Sequence, residues 1–374
     1  MALELADIFR RYGKSYRQKY ATRMPCTHLK AMQAIEQCRT EALGGQVYRC
    51  PDCEQMQYSY HSCRNRHCPK CQNENAQSWL ERQQDLLLPV PYFLLTFTLP
   101  AGFNEVTRSH QSLIYDLLFK TSAAATQQLA QDPRFIGGQI GMVGVLHTWG
   151  RNLAYHPHVH YLVPSGGLTH DEKKWVPARH NFLLPVRALS RIFRGKLHRA
   201  LRCTDCYTHI PAKVWKQDWV VHCEALGSGL GALKYLAPYI FRVALSNNRI
   251  LKLEADRVTF RYRDTDTDQE KRCTLGAEDF IHRFLQHVLP KGFVKVRYYG
   301  LFSPGLRKLL STLRQQLEKT SSTLPSLPDQ LDGNSQSDSP QTEFSPSAHL
   351  PPCPICGRPM QPASFIPASG RSPP

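Results

Sequence analysis

The chain has 374 residues, of which 41% are hydrophobic, so it is long enough for two or three domains with a buried core. Lys and Arg number 47 against 30 Asp and Glu, and this net charge of +17 favours a polyanionic partner such as nucleic acid over an ordinary basic surface. We find no apolar run long enough to span a bilayer, no apolar region typical of a secretory signal and no phosphate-binding loop of ATP-driven enzymes. We therefore exclude a membrane-spanning protein, a secreted protein and an ATP-driven enzyme.

The first 71 residues combine a basic segment with a group of cysteines. Residues 1–24 are predicted to form an amphipathic helix, with Leu5, Ile8 and Phe9 on one side and basic residues elsewhere. Residues 26–71 contain seven of the 13 cysteines of the chain. In a reducing compartment such cysteines are more often metal ligands than disulfide partners.

Two cysteine pairs have the spacing of a zinc site. Cys50 and Cys53 form one Cys-x2-Cys pair, and Cys68 and Cys71 form another after 14 intervening residues. Each pair fits on a tight turn, so that four thiolates can surround one zinc ion. Because four thiolates leave no open position for water, the sequence predicts a structural zinc rather than a catalytic one.

The same segment contains further candidate ligands and several basic residues. One candidate set for a second zinc, among others that the sequence leaves open, is His28, Cys38, Cys63 and His67. Basic side chains with neighbouring tyrosines fit contacts to DNA, and they are Arg49, Arg64, Arg66 and Lys70. The alternative is that this cysteine-rich segment serves only as a folding module and does not contact DNA. The isolated pairs Cys203/Cys206 and Cys353/Cys356 offer two ligands each and are weaker predictions.

The middle of the chain alternates between predicted strands and helices. Strands are predicted at 92–99, 137–149, 156–163, 219–225 and 258–263, and helices at 76–90, 104–130, 187–201, 231–246 and 279–287. The second and third of these strands could pair. After about Glu318 the chain is rich in Ser, Pro, Gln and Asp, which predicts a disordered tail that ends with the Cys353/Cys356 pair.

The run His156-Pro157-His158-Val159-His160 is the most informative after the cysteines. In a strand, residues two apart project to the same face, so His158 and His160 would lie side by side while Val159 faces the core. Two imidazoles are two metal ligands, and a third must come from elsewhere in the fold. The alternative is a pair of histidines on a half-exposed strand.

Two tyrosines follow about 75 residues later. Tyr235 and Tyr239 are four residues apart, so on a helix they point the same way, although Pro238 between them would kink the axis. Phenols near a divalent cation could attack a phosphodiester, because the cation stabilises the charge that develops. The product would be a phosphotyrosine ester that retains the energy for rejoining. A packed aromatic pair is the alternative reading.

Together these residues resemble the two-tyrosine HUH transposases of rolling-circle insertion sequences, the IS91 type. HUH denotes His-hydrophobic-His, here His158-Val159-His160. The cysteine segment is similar to the zinc-binding domain of that family. Four further blocks are similar to its catalytic half: YFLLTFTLP, HTWGRNLAYHPHVHYLVPSGG, LKYLAPYIFRVALSNNRI and VRYYGLFSPG.

The resemblance implies an α+β architecture, with a zinc-ribbon-like domain over 1–90, a ferredoxin-like antiparallel HUH sheet with flanking helices over 91–318 and a disordered tail over 319–374. By that likeness, Tyr235 and Tyr239 are the catalytic nucleophiles, and His158 and His160 hold Mg²⁺ or Mn²⁺. Candidates for the third ligand are His156, His147 and Glu224. The structural zinc ligands remain Cys50, Cys53, Cys68 and Cys71.

The resemblance also implies a function and a partner. The chain would cut and rejoin single-stranded or hairpin DNA at element ends through a 5′-phosphotyrosine, as a bacterial cytoplasmic protein associated with the nucleoid and with no membrane partner. Two alternatives use the same residues differently. One is a rolling-circle replication initiator or relaxase that nicks a plasmid origin, and the other is a zinc-dependent DNA-binding protein without catalysis.

Overall fold

The structure is a computed structural model that describes residues 3–71, 83, 86–172, 174–227, 231, 243–264, 267–321 and 350–369. The chain divides into two compact units, a larger one of residues 1–36 and 65–321 and a smaller one of residues 37–64 and 322–374. Helices and antiparallel sheets are both present, so the predicted α+β class is confirmed. Among the described residues, no helix has the length and apolar composition needed to cross a membrane.

A five-stranded antiparallel sheet forms the centre of the larger unit. Its strands, in chain order, are β3 (Tyr92–Thr98), β4 (Gly141–Trp149), β5 (Tyr155–Pro164), β8 (Val221–Gly227) and β12 (Val296–Gly300). They lie in the order β12-β4-β5-β3-β8, with every neighbouring pair antiparallel. The predicted pairing of the two strands around 137–149 and 156–163 is confirmed as the β4–β5 hairpin.

The alternation of residues along β5 explains which face of this sheet is covered. Val159, Tyr161 and Val163 are fully buried in the main core, together with residues of two long helices. These helices are α4 (Gln111–Ala130) and α5 (Val186–Leu201). The buried residues of α5 recur every four positions, as expected for a helix with one apolar stripe: Leu189, Phe193, Leu197 and Leu201. The residues of β5 that alternate with these buried ones, including His158 and His160, therefore project to the opposite face of the sheet.

Part of the opposite face is covered by the helix α7 (Arg307–Ser321). Leu310 and Leu313 of this helix are in one apolar cluster with Val145 of β4 and Leu162 of β5. The predicted helix over 104–130 is interrupted at His110, whose φ of −128° and ψ of 44° are not helical. A short helix, α3 (Asn104–Ser109), therefore precedes α4.

The remaining helices and strands of the larger unit pack around this centre. The predicted N-terminal helix is present as α1 (Leu5–Tyr20), and Phe9 meets Phe284 edge to face at 5.5 Å. Phe284 lies on α6 (Ala277–Leu285), and α2 spans Cys26–Gln37. A second antiparallel sheet consists of β9 (Ile250–Glu254), β10 (Arg257–Arg263) and β11 (Glu270–Gly276), and β6 (Gly166–Leu168) pairs with β7 (Trp175–Pro177).

The smaller unit contains a three-stranded antiparallel sheet. Its strands are β1 (Gly45–Arg49), β2 (Met56–Tyr60) and β13 (Gln361–Ile366), with β1 in the middle. The end of the predicted disordered tail is thus a strand, because the backbone of residues 361–366 pairs with β1. One boundary between the compact units, at residues 321 and 322, lies close to the predicted boundary at 318, whereas the others lie at 36/37 and 64/65 and not at 90.

Candidate metal centres

The β4–β5 hairpin brings three histidines together. His147 on β4 lies directly opposite His158 on β5, and His160 lies two residues further along β5. Because side chains of a strand alternate between faces, all three project from the same face of the sheet. One ligand nitrogen from each lies within 4.8 Å of the others. Of the three candidates for the third ligand, His147 therefore completes the group, whereas His156 and Glu224 are outside it.

Hydrogen bonds orient two of these imidazoles. Nδ1 of His158 lies 2.6 Å from the backbone oxygen of His156. Since a carbonyl oxygen can only accept, Nδ1 carries the proton and Nε2 carries the lone pair that a metal needs. Nδ1 of His160 is 2.9 Å from Oγ1 of Thr96, which faces it from β3. The ring of Trp149 stacks on His147 with centroids 5.0 Å apart.

The surroundings keep the histidine pair of β5 uncharged. Burial lowers the pKa of His158 well below its ordinary value, and it lowers the pKa of His160 to about 4. Both imidazoles are therefore neutral at pH 7, which is the form that binds metal. Three imidazole nitrogens without a carboxylate suit Mn²⁺ better than Mg²⁺, which prefers oxygen ligands.

A basic cleft of about 540 Å³ adjoins the three histidines. Four arginines line it: Arg151 in the β4–β5 loop, Arg249 just before β9, and Arg261 and Arg263 on β10. Nε of Arg249 donates to the backbone oxygen of Arg261 at 2.9 Å, and its Nη2 donates to that of Arg151. These bonds fix the second sheet beside the hairpin loop and leave a positively charged wall facing the cleft.

This arginine wall is not among the features predicted from the sequence. The signal that could have found it is the spacing of Arg261 and Arg263, which lie two apart in the run VTFRYR and so share a face of β10. Glu270 on β11 also lines the cleft, and its carboxylate lies 3.5 Å from Arg261. The predicted nucleophiles Tyr235 and Tyr239 lie outside the described residues.

A second group of ligands lies in the smaller unit and consists of four cysteines. Cys50 and Cys53 are grouped with Cys353 and Cys356, with their sulfur atoms within 4.8 Å of one another. This corrects the predicted set of Cys50, Cys53, Cys68 and Cys71. The physical reason is the pairing of β13 with β1, which carries the C-terminal Cys-x2-Cys pair to the first one.

Backbone amides support two of these thiols. The N–H of Cys53 lowers the pKa of Cys50, and the N–H of Cys356 lowers the pKa of Cys353 to about 6. N–H donation to sulfur favours the thiolate, which is the form that binds zinc. The donor set therefore fits a closed tetrahedral zinc site.

The other predicted zinc ligands are divided between the two units. Cys68 and Cys71 are buried in the larger unit, and Cys38 is buried in the smaller one, with Cys63 half-buried. Nε2 of His67 accepts the backbone N–H of Leu289 at 3.3 Å, so its lone pair is engaged. The candidate set that included His28 and His67 is thereby weakened.

The predicted DNA-binding residues have different environments. Arg66 donates to the backbone oxygens of Phe293 and Pro290 at 2.7 and 2.8 Å. Lys70 pairs with Glu4 at 2.5 Å, and Arg49 pairs with Glu54. Arg64 is exposed. Arg66 and Lys70 thus make contacts that hold the larger unit together, which is a role the sequence did not reveal.

Comparison with known proteins identifies two family models. One, described as "Putative transposase", matches residues 141–330 and so includes the three histidines. The other, described as "Transposase zinc-binding domain", matches residues 8–99. No solved structure matches the chain.

Two relatives cover most of the chain. It is 41% identical over 325 residues to "Putative transposase y4qJ" of Sinorhizobium fredii (strain NBRC 101917 / NGR234). The aligned region covers 82% of this chain and 81% of the relative. The chain is 28% identical over 283 residues to "Transposase for insertion sequence element IS801" of Pseudomonas savastanoi pv. phaseolicola. This aligned region covers 71% of this chain and 68% of the relative. The resemblance drawn from the motifs is confirmed, and the chain belongs to the IS91-type insertion-sequence transposases with an N-terminal zinc-binding domain.

Proposed function

We propose that this transposase cuts and rejoins single-stranded DNA at the ends of an insertion sequence, through a 5′-phosphotyrosine intermediate in rolling-circle-type transposition. The observation that carries the proposal is the group of His147, His158 and His160 beside a cleft lined by arginines. The histidines supply ligands for a divalent ion, and the arginines supply charge for the DNA backbone.

In the cutting step, the phenol oxygen of one tyrosine attacks the scissile phosphorus. A bond forms between that oxygen and phosphorus, and the bond from phosphorus to the 3′ oxygen breaks. The phenol loses one proton and the leaving 3′ oxygen gains one, which gives a free 3′-hydroxyl. Tyr235 is our candidate for this nucleophile. Tyr239 is the candidate for the second transfer, in which it accepts the other strand.

The three histidines would hold Mn²⁺ or Mg²⁺ against the scissile phosphate. When bound, the ion supplies Lewis-acid polarisation of a phosphate oxygen and stabilises the developing charge. The residues of the hairpin contribute orientation, because the 2.6 Å bond from His158 to the backbone oxygen of His156 fixes which nitrogen faces the ion. Loss of that orientation would weaken metal binding even with all three imidazoles present.

Rejoining reverses the chemistry. A free 3′-hydroxyl attacks the phosphotyrosine, the phosphodiester re-forms and the tyrosine is released with its proton. The ester retains the energy of the original bond, so no ATP is required, which agrees with a sequence that lacks a phosphate-binding loop of ATP-driven enzymes.

The arginine-lined cleft supports a single-stranded or hairpin substrate. The partly exposed side chains of Arg151, Arg261 and Arg263 lie at its rim, where they pair with carboxylates of Asp268 and Glu270. Successive phosphates of a bound strand would compete with these carboxylates for the arginines. A single strand is flexible enough to bring one phosphodiester onto the histidines while its neighbours follow the arginines.

We also propose that the chain binds structural zinc, which its match to a transposase zinc-binding domain supports.

Two alternative functions use the same site. A replication initiator or relaxase would nick a plasmid origin rather than element ends, and a DNA-binding protein without catalysis would form no covalent product. Membership of the transposase family favours the first proposal over both. DNA from the flanks of the gene and from a plasmid origin separates the first two, and the covalent product excludes the third.

The test is a cleavage assay on a denaturing gel, with single-stranded oligonucleotides from the flanks of the gene and Mn²⁺. We expect a covalent protein–DNA band with the wild-type chain and with Tyr239→Phe, and none with Tyr235→Phe or His158→Ala. His156→Ala is the matched control, since this histidine neighbours the group without belonging to it. A band that persists in Tyr235→Phe and His158→Ala would overturn the proposal.

A further inference from the structure

The C-terminal segment contains a metal-binding motif that neither family match includes. The zinc-binding match ends at residue 99 and the transposase match ends at residue 330, whereas Cys353 and Cys356 lie beyond both. Within the smaller unit these two cysteines are grouped with Cys50 and Cys53. The segment that contains them therefore needs an explanation that the family matches do not give.

The distances between sulfur atoms fit one tetrahedral ion. Sγ of Cys50 lies 3.4 Å from that of Cys356, and Sγ of Cys53 lies 3.5 Å from that of Cys353 and 3.8 Å from that of Cys356. A zinc–sulfur bond of about 2.3 Å places the sulfurs of a tetrahedral site about 3.8 Å apart. The four thiols thus already lie near the corners that a zinc ion requires.

The two cysteine pairs also have the same backbone geometry. The N–H of Cys50 donates to the backbone oxygen of Gln55, and the N–H of Cys353 donates to that of Arg358, five residues later in each case. Glu54 and Gly357, each next to the second cysteine, adopt positive φ angles of 59° and 75°. Two turns of one type therefore face each other, as in the knuckles of a zinc ribbon.

Contacts around the cysteines connect the same two segments. β13 follows the second turn and pairs with β1, which precedes the first turn. Arg358 pairs with Asp52 at 3.0 Å, between the two turns themselves. Met360 is fully buried in a cluster with Cys50 and Cys353. The C-terminal segment is thus packed as part of this unit and is not an appendage of it.

We propose that Cys50, Cys53, Cys353 and Cys356 bind one structural zinc ion, so that residues 350–366 complete a zinc ribbon that begins with residues 45–60. The site is closed, because four thiolates leave no position for water or substrate. Without its C-terminal half, the first pair would have only two protein ligands for the ion. The C-terminal end of the chain is therefore required for zinc binding near its N-terminus.

The zinc content of the purified full-length chain tests this proposal, and the assay does not depend on strand transfer. We expect the double variant Cys353→Ser/Cys356→Ser to contain one zinc fewer per chain than the wild type, by plasma mass spectrometry under reducing conditions. Cys203→Ser/Cys206→Ser is the matched control, because this pair has the same spacing but belongs to no metal-ligand group among the described residues. It should retain the wild-type zinc content. An unchanged zinc content in the first variant would overturn the proposal.

Alkylation of the wild-type chain keeps the test decisive even where the double variant misfolds. Cys353, Cys356, Cys50 and Cys53 should resist a thiol reagent together and become reactive together when a strong zinc chelator is added, as read by peptide mass spectrometry. Cys53 and Cys356 are exposed, so burial alone would not protect them. Rapid alkylation of these two in the zinc-loaded chain contradicts the proposal.

Discussion

The two groups of metal ligands in this protein are assembled in opposite ways. The histidine group comes from one hairpin, with all ligands between residues 147 and 160. The cysteine group combines two turns that are far apart in the sequence, with Cys50 and Cys356 separated by 306 positions. A ligand set within one hairpin is held by the sheet before any metal binds. A set that closes so long a stretch of chain must offset a larger loss of chain entropy, and metal binding contributes to that offset.

This comparison predicts a different dependence on metal for each region. In the hairpin, main-chain pairing and the core beneath β4 and β5 fix the imidazoles, so metal should determine catalysis and leave the fold intact. In the described part of the smaller unit, the sheet has three short strands and packs with a small apolar cluster. There, metal should determine whether the segment is folded.

The largest expected effect is the loss of strand cutting when the third histidine is removed. His147→Ala should abolish the Mn²⁺-dependent covalent adduct, because two imidazoles bind the ion more weakly and leave it poorly oriented. His156→Ala should leave the adduct readily detectable. The denaturing-gel assay measures both variants, and circular dichroism checks that each is folded. If the two variants retained equal activity, the assignment of His147 would be wrong.

The next effect separates the two regions by chelation. A strong zinc chelator should remove hydrogen-exchange protection from peptides covering 45–60 and 361–366, because binding of structural zinc contributes about 10 kcal/mol or more to folding. Peptides of the β4–β5 hairpin should keep their protection under the same conditions. Protection of both regions after complete removal of zinc would contradict this prediction. Exchange followed by mass spectrometry gives both readings from one sample.

The same contrast explains what the sequence could reveal. His158 and His160 were found because a two-residue period is a local property of one strand. His147 was only a candidate, since its position depends on the register that the loop over residues 150–154 imposes on the hairpin. Local periodicity also predicts the strands β3, β4, β5, β8 and β10, most of the described helices and the α+β class. Ligands on the same hairpin are thus within reach of sequence reasoning.

Which cysteine pairs share a metal ion could not be predicted from the sequence. The chain has four Cys-x2-Cys pairs, and their sequence spacing favoured joining the first two, although the structure joins the first and the last. What decides the pairing is the contact of β13 with β1, which is non-local and leaves no trace in spacing. The Ser- and Pro-rich composition before residue 350 also concealed the strand that follows it. The bonds of Arg66 to the backbone oxygens of residues 290 and 293 were equally unpredictable from the sequence, because they depend on the tertiary fold.

A smaller effect concerns the acid sensitivity of the hairpin. His287 is buried between Thr148 at the end of β4 and the backbone oxygen of Leu153 in the loop, at 3.2 and 3.3 Å. Burial lowers the pKa of His287 to about 4 from an ordinary 6.5. Between these values the unfolded chain takes up a proton that the folded chain does not, so stability present above pH 6.5 is lost progressively as the pH falls towards 4. One such histidine contributes at most about 3 kcal/mol to this loss.

Denaturant unfolding between pH 4 and 7 tests whether the free energy of unfolding decreases as the pH falls. His287→Gln should lower the stability at pH 7 and make it depend less steeply on pH, since one proton-linked group has been removed. The exposed His180→Gln is the matched control and should keep the wild-type slope. A wild-type slope in His287→Gln would show that other groups cause the acid sensitivity.

The smallest expected effect tests whether the DNA strand passes along the arginine wall of the histidine region. Arg261→Gln should reduce the slope of log affinity against log salt concentration by about 0.7 for single-stranded DNA, the value for one lost phosphate contact. Glu270→Gln should raise the affinity, because it removes the carboxylate that lies 3.5 Å from Arg261 and competes with phosphate. Arg199→Gln makes the same charge change on α5, which covers the opposite face of the central sheet, and should leave the slope unchanged. Fluorescence anisotropy with labelled single strands measures all three slopes. Equal reductions in Arg261→Gln and Arg199→Gln would mean that general surface charge, and not this cleft, attracts the DNA.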